Sequence, residues 1–368
     1  MKKIIAILIL LLSVVLINQC SQQIIVKTFP ANHPAIQYTG RIDFSDPEKP
    51  KLVGPGCYLQ VRFKGRSCEV LLTDQNFEGK HNYMAIILDG EYKGRIKVDK
   101  EQTVYRVADE LENEEHSVLI GKATEAGIGY VEFSGIRCGE LLPSSEKPQR
   151  KIEFIGNSIT CGMGLDLSGL PCDSAEWYDQ HNACLAFGPL LARQLNAQWL
   201  LSSVSGIGIE RNWNSPGPTM PLVYYNTYFR TDSSALWNFS SYVPDLVSIC
   251  LGTNDFSDGD EKIPRVAVDS SKFVSKYIQF LITIRKNYPQ AVICCVSSPI
   301  LQGIKARTLE RYISIIVDYM IGKEHDSKVF KFFFTRAYTH GCSSHPGQED
   351  HVMMADELQP FIAKIMRW

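Results

Sequence analysis

No run of basic residues marks this chain, and the short motifs that announce a metal site are missing. Lys and Arg number 38 against 40 Asp and Glu in 368 residues, a formal net charge of −2. A nucleic-acid-binding protein would show a basic footprint, so that class is excluded. The 11 Cys residues are scattered, without a CxxC pair or zinc-ribbon spacing, and HExxH is absent, so no metal framework is expected. Internal repeats and low-complexity tracts are also lacking. What remains is a globular balance of 45% hydrophobic and 21% charged residues, in a length that suits two domains.

Residues 1–20 read as a targeting segment. Lys2 and Lys3 precede an apolar stretch at 4–17, only 14 residues long. A bilayer-spanning helix needs about 20, so the stretch is a signal-peptide core rather than a permanent anchor. It ends at Cys20, where a Cys after such a core resembles the lipid-attachment site of bacterial lipoproteins. Asn18 and Gln19 depart from the small residues usual there. Two outcomes stay open, lipidation of Cys20 or a soluble exported form, and any membrane contact would run through that lipid. The expected location is periplasmic or the cell surface. In an exported chain some thiols can oxidise: Cys161, Cys172 and Cys184 lie close enough in sequence for one bridge, with connectivity open. Cys250, Cys294 and Cys295 sit in apolar runs and read as core residues.

The two halves of the remaining chain differ in period. Over 22–142 short runs alternate polar and apolar residues between Gly, Pro and Asp turns. Examples are Cys57-Tyr58-Leu59-Gln60-Val61-Arg62-Phe63, Cys68-Glu69-Val70-Leu71-Leu72 and Tyr83-Met84-Ala85-Ile86-Ile87-Leu88 before Asp89-Gly90. Strict alternation with frequent turns predicts a β-sandwich, jelly-roll-like in layout. Residues 143–148 form a linker. Over 150–368 apolar strand-like runs at 151–154, 198–204, 246–251, 291–296 and 329–334 alternate with helical spacing. Phe273, Tyr277, Phe280, Leu281 and Ile284 share one face, as do Val352, Ala355, Leu358, Ile362 and Ile365. This half is α/β: a parallel sheet built from right-handed βαβ units and covered on both faces.

Ligands of open α/β sheets bind outside the carboxyl ends of the strands, which directs attention to four places. Gly156-Asn157-Ser158-Ile159-Thr160 ends the first strand. A Ser in that turn can expose a nucleophilic hydroxyl beside backbone N–H groups, or can simply cap a helix. It is not the GxSxG elbow, because Thr160 stands where the second Gly belongs. Ser205-Gly206-Ile207-Gly208 ends the second strand and either admits a bound group or makes a turn. Leu251-Gly252-Thr253-Asn254-Asp255 ends the third, where Asn254 is an amide donor for an oxyanion or the start of an Asx-turn. Ser343-Ser344-His345-Pro346-Gly347 precedes the last helix, where a lone His before Pro is most often a loop residue.

Ser, Gly, Asn and His in that order resemble the SGNH hydrolase superfamily, with its three-layer α/β/α fold. The stretches around Ser158, Gly206 to Asn212, Trp237-Asn238-Phe239, Pro244-Asp245-Leu246 and Asn254 look like carbohydrate esterase family 2. The first half, with Tyr38-Thr39-Gly40-Arg41 and Leu88-Asp89-Gly90, resembles that family's β-sandwich. The resemblance implies deacetylation of plant polysaccharides without metal or organic cofactor. Ser158 would be the nucleophile and His345 the general base, with Ser158 N–H, Gly206 and Asn254 as the oxyanion hole. Acetylated polysaccharide or oligosaccharide would be the partner. One departure stands out. Many superfamily members carry an Asp two or three residues before the catalytic His, whereas Ser343 and Cys342 occupy those positions. The expectation is a Ser158–His345 dyad with the imidazole held by a backbone carbonyl, Asp350 being the less favoured orienter. Trp213, Tyr225 and Trp237 are candidates for stacking on sugar or for core packing. The segment 165–182, with Trp177, Tyr178 and His181, is a candidate rim. Competing readings are a non-catalytic glycan-binding surface lipoprotein and a lipid or thioester hydrolase of the same superfamily.

Overall fold

The computed structural model describes residues 26–77, 79–172, 174–232, 235–260 and 265–368. Cys20 and the leader lie outside the described residues. Among those described, no helix is long and apolar enough to cross a membrane.

Alternation in the first half produces one antiparallel sheet. Its strands are Lys27–Pro30 (β1), Gln37–Thr39 (β2), Ile42–Asp43 (β3), Lys51–Leu52 (β4), Tyr58–Asn76 (β5), Tyr83–Leu88 (β6), Glu91–Lys97 (β7), Val104–Ala108 (β8), Glu115–Lys122 (β9) and Gly129–Leu142 (β10). They run β3-β4-β10-β5-β9-β6-β7, with β1 on β10 and with β2 and β8 on β5. Two runs that read as separate strands are the single 19-residue β5. Its buried positions change parity midway, from Leu59, Val61 and Phe63 to Cys68, Val70 and Leu72. Strand side chains alternate faces, so such a change needs a bulge or bend. The bend falls where Gly65, at φ +147°, meets Gly139, whose N would lie 3.2 Å from a Cβ on Gly65. Here the β5–β10 register shifts, between Cys138 and Glu140. Residues 58–64 of β5 pair with β9, whereas 68–71 pair with β8. The sandwich is thus built from one hydrogen-bonded sheet that curls over a core including Phe63, Val70, Ile86, Val118 and Phe133.

The second half gives Arg150–Gly156 (β11), Ala197–Ser203 (β12), Leu246–Cys250 (β13), Val292–Val296 (β14) and Val329–Phe332 (β15). All pair in parallel, in the order β12-β11-β13-β14-β15. The long helices are Phe187–Gln194 (α1), Ser270–Asn287 (α2), Gly303–Gly322 (α3) and Gln348–Met366 (α4). Phe273, Tyr277, Phe280, Leu281 and Ile284 are buried along α2. That helix starts where Asp269 accepts the N–H groups of Ser271 and Lys272, satisfying two of its first-turn donors. Successive residues of β11 serve opposite layers. Phe154 packs with Phe187 and Leu191 of α1 and Met354 and Leu358 of α4. Ile155 packs with Phe273 of α2 and Ile313 of α3. The result is the three-layer α/β/α fold. In a 2-1-3-4-5 sheet the order reverses between the first and third strands, and a crevice opens there at the carboxyl ends. The three motif-bearing turns leave β11, β12 and β13, the strands that flank this point.

Candidate active site

The turn after β11 is closed by its own backbone. The Asn157 side chain accepts the Ile159 N–H at 3.1 Å, and the Asn157 carbonyl accepts the Cys161 N–H at 3.0 Å. Ser158 is nearly buried, with its Oγ 2.8 Å from Nε2 of His345. The other ring nitrogen of His345, Nδ1, lies 3.1 Å from the carbonyl oxygen of Ser343. A carbonyl can only accept, so Nδ1 carries the proton and Nε2 offers its lone pair to the Ser158 hydroxyl. Burial pushes the His345 imidazole below its ordinary pKa, which keeps that lone pair free.

The Ser343 carbonyl reaches the ring because the chain is bent hard beneath it. Ser343 and Ser344 are both left-handed, at φ 53° and 57°, a conformation that side-chain-bearing residues adopt at a cost. The surroundings hold it: Cys342 N–H donates to the Gly164 carbonyl at 3.1 Å, and Gly341 N–H donates to the His345 carbonyl at 2.7 Å. Cys342 is also disulfide-bonded to Cys172. This corrects the expectation of one bridge within the set Cys161, Cys172 and Cys184. Cys161 and Cys184 are buried free thiols, and the partner of Cys172 lies 170 residues away. Asp350 is engaged elsewhere. Its carboxylate sits 2.7 Å from Nδ1 of His340 and accepts the N–H groups of His340 and Gly347 at 2.8 and 3.0 Å.

Gly206 turns the chain at φ +75°, and its carbonyl takes the Trp213 N–H at 2.7 Å. Among the described residues no protein acceptor takes the N–H of Ser158 or of Gly206. Asn254 donates Nδ2 to the Ile207 carbonyl at 2.7 Å, which orients the amide and leaves its second hydrogen available. The neighbouring Asp255, fully buried, accepts the N–H groups of Ile209, Glu210 and Arg211 at 3.1, 2.7 and 3.0 Å. Burial pushes its carboxyl up to about 6. The stretch 209–212 is thereby a fixed wall of the Gly206 turn.

The aromatic candidates separate by exposure. Trp213 and Tyr225 are 43% and 42% exposed, and Trp177 is 44% exposed. Trp237 is 9% exposed and covers the Arg41 guanidinium at 5.0 Å. It is a core side chain, which corrects its candidacy for sugar stacking. The ring of Trp177 lies 5.1 Å from that of His181, a fully buried imidazole that burial and the nearby His345 push down to about 3.

Several side chains of the first half reach into the second, among them Tyr83 and Tyr92, which donate to Asp179 and Asp166, and three charged groups. Arg41 is fully buried, 4.0 Å from Glu153 of β11, and donates to the carbonyls of Tyr224 and Asn226 at 2.9 Å each. Arg95 on β7 pairs with Asp166 at 2.9 Å and donates to the carbonyls of Asp179 and His181 at 2.8 and 2.6 Å. Glu125, just after β9, accepts the Ser205 N–H at 2.6 Å. Sequence reasoning passed over all three as site-building groups. Only Arg41 carried a hint, in the Tyr38 to Arg41 stretch. Among the described residues no three His, Cys, Asp or Glu side chains gather as a metal site.

A nearly buried Ser–His pair at the switch point of a 2-1-3-4-5 parallel sheet defines the class, and the chain's relatives narrow it. Residues 38–148 match the carbohydrate esterase 2 N-terminal model, and 152–358 match the GDSL-like lipase/acylhydrolase model. The cellulase/esterase CelE of Acetivibrio thermocellus is 32% identical over 93% of this chain, which spans 41% of that protein. An acetylxylan esterase / glucomannan deacetylase of Cellvibrio japonicus is 30% identical, with 93% of this chain and 92% of that protein aligned. The structure of a family two carbohydrate esterase from Clostridium thermocellum, solved with cellohexaose, superposes with a TM-score of 0.81. It is 32% identical, over 90% of this chain and 99% of that one. The chain belongs to carbohydrate esterase family 2.

Proposed function

We propose that this protein is a serine esterase that removes O-acetyl groups from plant polysaccharides such as xylan or glucomannan, with Ser158 as nucleophile and His345 as general base. The observation that carries this reading is the 2.8 Å approach of Ser158 Oγ to a ring nitrogen whose opposite side is fixed on the Ser343 carbonyl. The Ser158 hydroxyl attacks the acetyl carbonyl as His345 Nε2 takes its proton. The oxyanion forms against the N–H groups of Ser158 and Gly206 and the free amide hydrogen of Asn254. The imidazolium then returns the proton to the departing sugar oxygen. Water, deprotonated by the same nitrogen, releases acetate from the acyl-enzyme. Each proton transfer uses one nitrogen, so no carboxylate partner is required. Trp213, whose N–H is bonded to the Gly206 carbonyl, and Tyr225 are the proposed sugar-facing rings.

Export is part of the proposal. It is supported by the apolar segment at 4–17 after Lys2 and Lys3 and by the Cys172–Cys342 disulfide, a bond typical of oxidising compartments. The domain division at 22–142 and 150–368, with its linker, is likewise the proposed reading of the chain.

Acetate release from acetylated xylan and acetylated glucomannan tests the function, with Ser158→Ala as the control. Release by the parent and none by Ser158→Ala is the expected result. A folded parent that binds either glycan without releasing acetate would instead make this a glycan-binding protein.

A further inference from the structure

The turns that carry Ser158 and Gly206 are tied together by a side chain from the other sheet. Glu125 follows β9 and is 2% exposed. Its Oε2 accepts the Ser205 N–H at 2.6 Å and lies 3.2 Å from the Cys161 thiol. Cys161 closes the nucleophile turn through its N–H to Asn157, and Ser205 is the residue before Gly206. One carboxyl oxygen therefore contacts both turns that carry the proposed oxyanion-hole donors, at the residues beside them.

Few other bonds fix the near side of the Gly206 turn: the Cys161 thiol also lies 3.2 Å from Ser203 Oγ, and Ile207 N–H donates to the Val204 carbonyl at 3.3 Å. Val204 N–H reaches the Gly156 carbonyl only at 3.4 Å, a weak bond. Nothing closer than the Trp213 Cβ, at 3.9 Å, would meet a side chain at Gly206. On the far side, by contrast, Trp213, Asn254, Asn212 and Asp255 all hold the chain. Glu125 is itself anchored within the first sheet. Lys122 Nζ donates to the carbonyls of Thr124 and Glu125 at 3.0 and 2.9 Å, and Thr124 Oγ1 donates to Asn82 at 2.6 Å.

We propose that Glu125 is a positioning residue for the oxyanion hole, supplied by the N-terminal sheet: it fixes the peptide before Gly206 and locks that turn to the nucleophile turn. Oxyanion donors act only when they are preorganised, and a displacement of about 1 Å can cost about 10²-fold in rate. Burial pushes the Glu125 carboxyl up from its ordinary value, and the buried Lys122, whose own ammonium burial pushes down to about 8, opposes that rise.

The inference rests on the esterase reading, and the test separates the two. In the full chain, Glu125→Gln keeps an oxygen that accepts the Ser205 N–H, whereas Glu125→Met has the same length and no such acceptor. Turnover of 4-nitrophenyl acetate is measured for each, with the inactivation rate by diethyl 4-nitrophenyl phosphate, whose phosphoryl oxygen occupies the same hole. Melting temperatures run alongside. The expected result for Glu125→Met is a kcat lower by about 10²-fold at unchanged KM, with inactivation slowed in parallel. Glu125→Gln should keep most of the parent's kcat. A folded Glu125→Met with parental kcat overturns the inference, as does an equal loss in both variants. Should Glu125→Met fail to fold, Glu125→Asp serves, because it withdraws the carboxylate from Ser205 by one methylene. A kcat loss at unchanged KM then supports the inference and parental kcat overturns it. A parent that neither turns over the ester nor reacts with the phosphate fails at the esterase reading itself.

Discussion

His345 shows how a single residue's protonation follows from where its loop places it. Its Nδ1 proton points at the Ser343 carbonyl, so the imidazole has an orienter with no charge. A carboxylate there would raise the imidazole pKa, and burial without one lowers it. In the proposed mechanism the His345 base must be neutral to take the Ser158 proton. Protonation therefore removes activity only below the folded-state pKa, which lies under the ordinary value of about 6.5. The predicted acid limb of kcat/KM falls below that value, and a limb above it would mean that a carboxylate has reached the ring. Each motif alone read as a turn or a cap; Ser158 and His345 were singled out because Ser, Gly, Asn and His in that order resemble the SGNH superfamily. The carbonyl orienter was an expectation of the family resemblance alone, since Ser343 and Cys342 stand where many superfamily members carry an Asp. Glu125 was not readable, because nothing in Thr124-Glu125-Ala126 shows that a loop of the first sheet will fold against Ser205.

At the scale of elements, the loop 341–345 is held by the loop that follows Ser158. Gly164 accepts the Cys342 N–H, and Cys172 bonds Cys342 covalently. This staple braces the left-handed Ser343 and Ser344 that carry the orienting carbonyl. A bridge closing 170 residues stabilises a fold by about 5 kcal/mol in the chain-entropy account. Reduction, or Cys172→Ser, should therefore lower the melting temperature and also lower kcat, through a less well-held His345. Unchanged kcat in a reduced, folded chain would show that the hydrogen bonds alone suffice. The five parallel strands matched their apolar runs closely, since buried parallel strands read as continuous hydrophobic stretches. The first sheet was harder to read. Period-two alternation identifies half-buried strands but does not say which run continues into the next. The join of Cys57 to Phe63 with Cys68 to Leu72 depended on the bend at Gly65 and Gly139, a contact between distant parts of the chain. The disulfide was hidden for the same reason.

Across the whole molecule, the first sheet is structural material for the site rather than an attached module. Arg41, Arg95 and Glu125 hold the segments at 224–226, 166–181 and 205. Arg41 also faces Glu153 inside the second half, with Trp237, Phe229 and Tyr224 around its guanidinium. Removing one member of a buried ion pair leaves the other charge without compensation, at a cost of about 3–5 kcal/mol. Arg41→Ala should accordingly lower the denaturation midpoint of the whole chain in one cooperative transition. Two separate transitions, with the second half unaffected, would show that the halves are independent.

The central claim is that acetyl passes through Ser158, and trapping the intermediate tests it most directly. The chain is mixed with 4-nitrophenyl acetate, quenched in acid within the first turnovers, digested and mapped by mass spectrometry. Acetyl on the peptide that contains Ser158, absent from Ser158→Ala, is the predicted result. Steady acetate release with no acetylated Ser158 at any quench time, and no slowing in Ser158→Ala, would contradict the account.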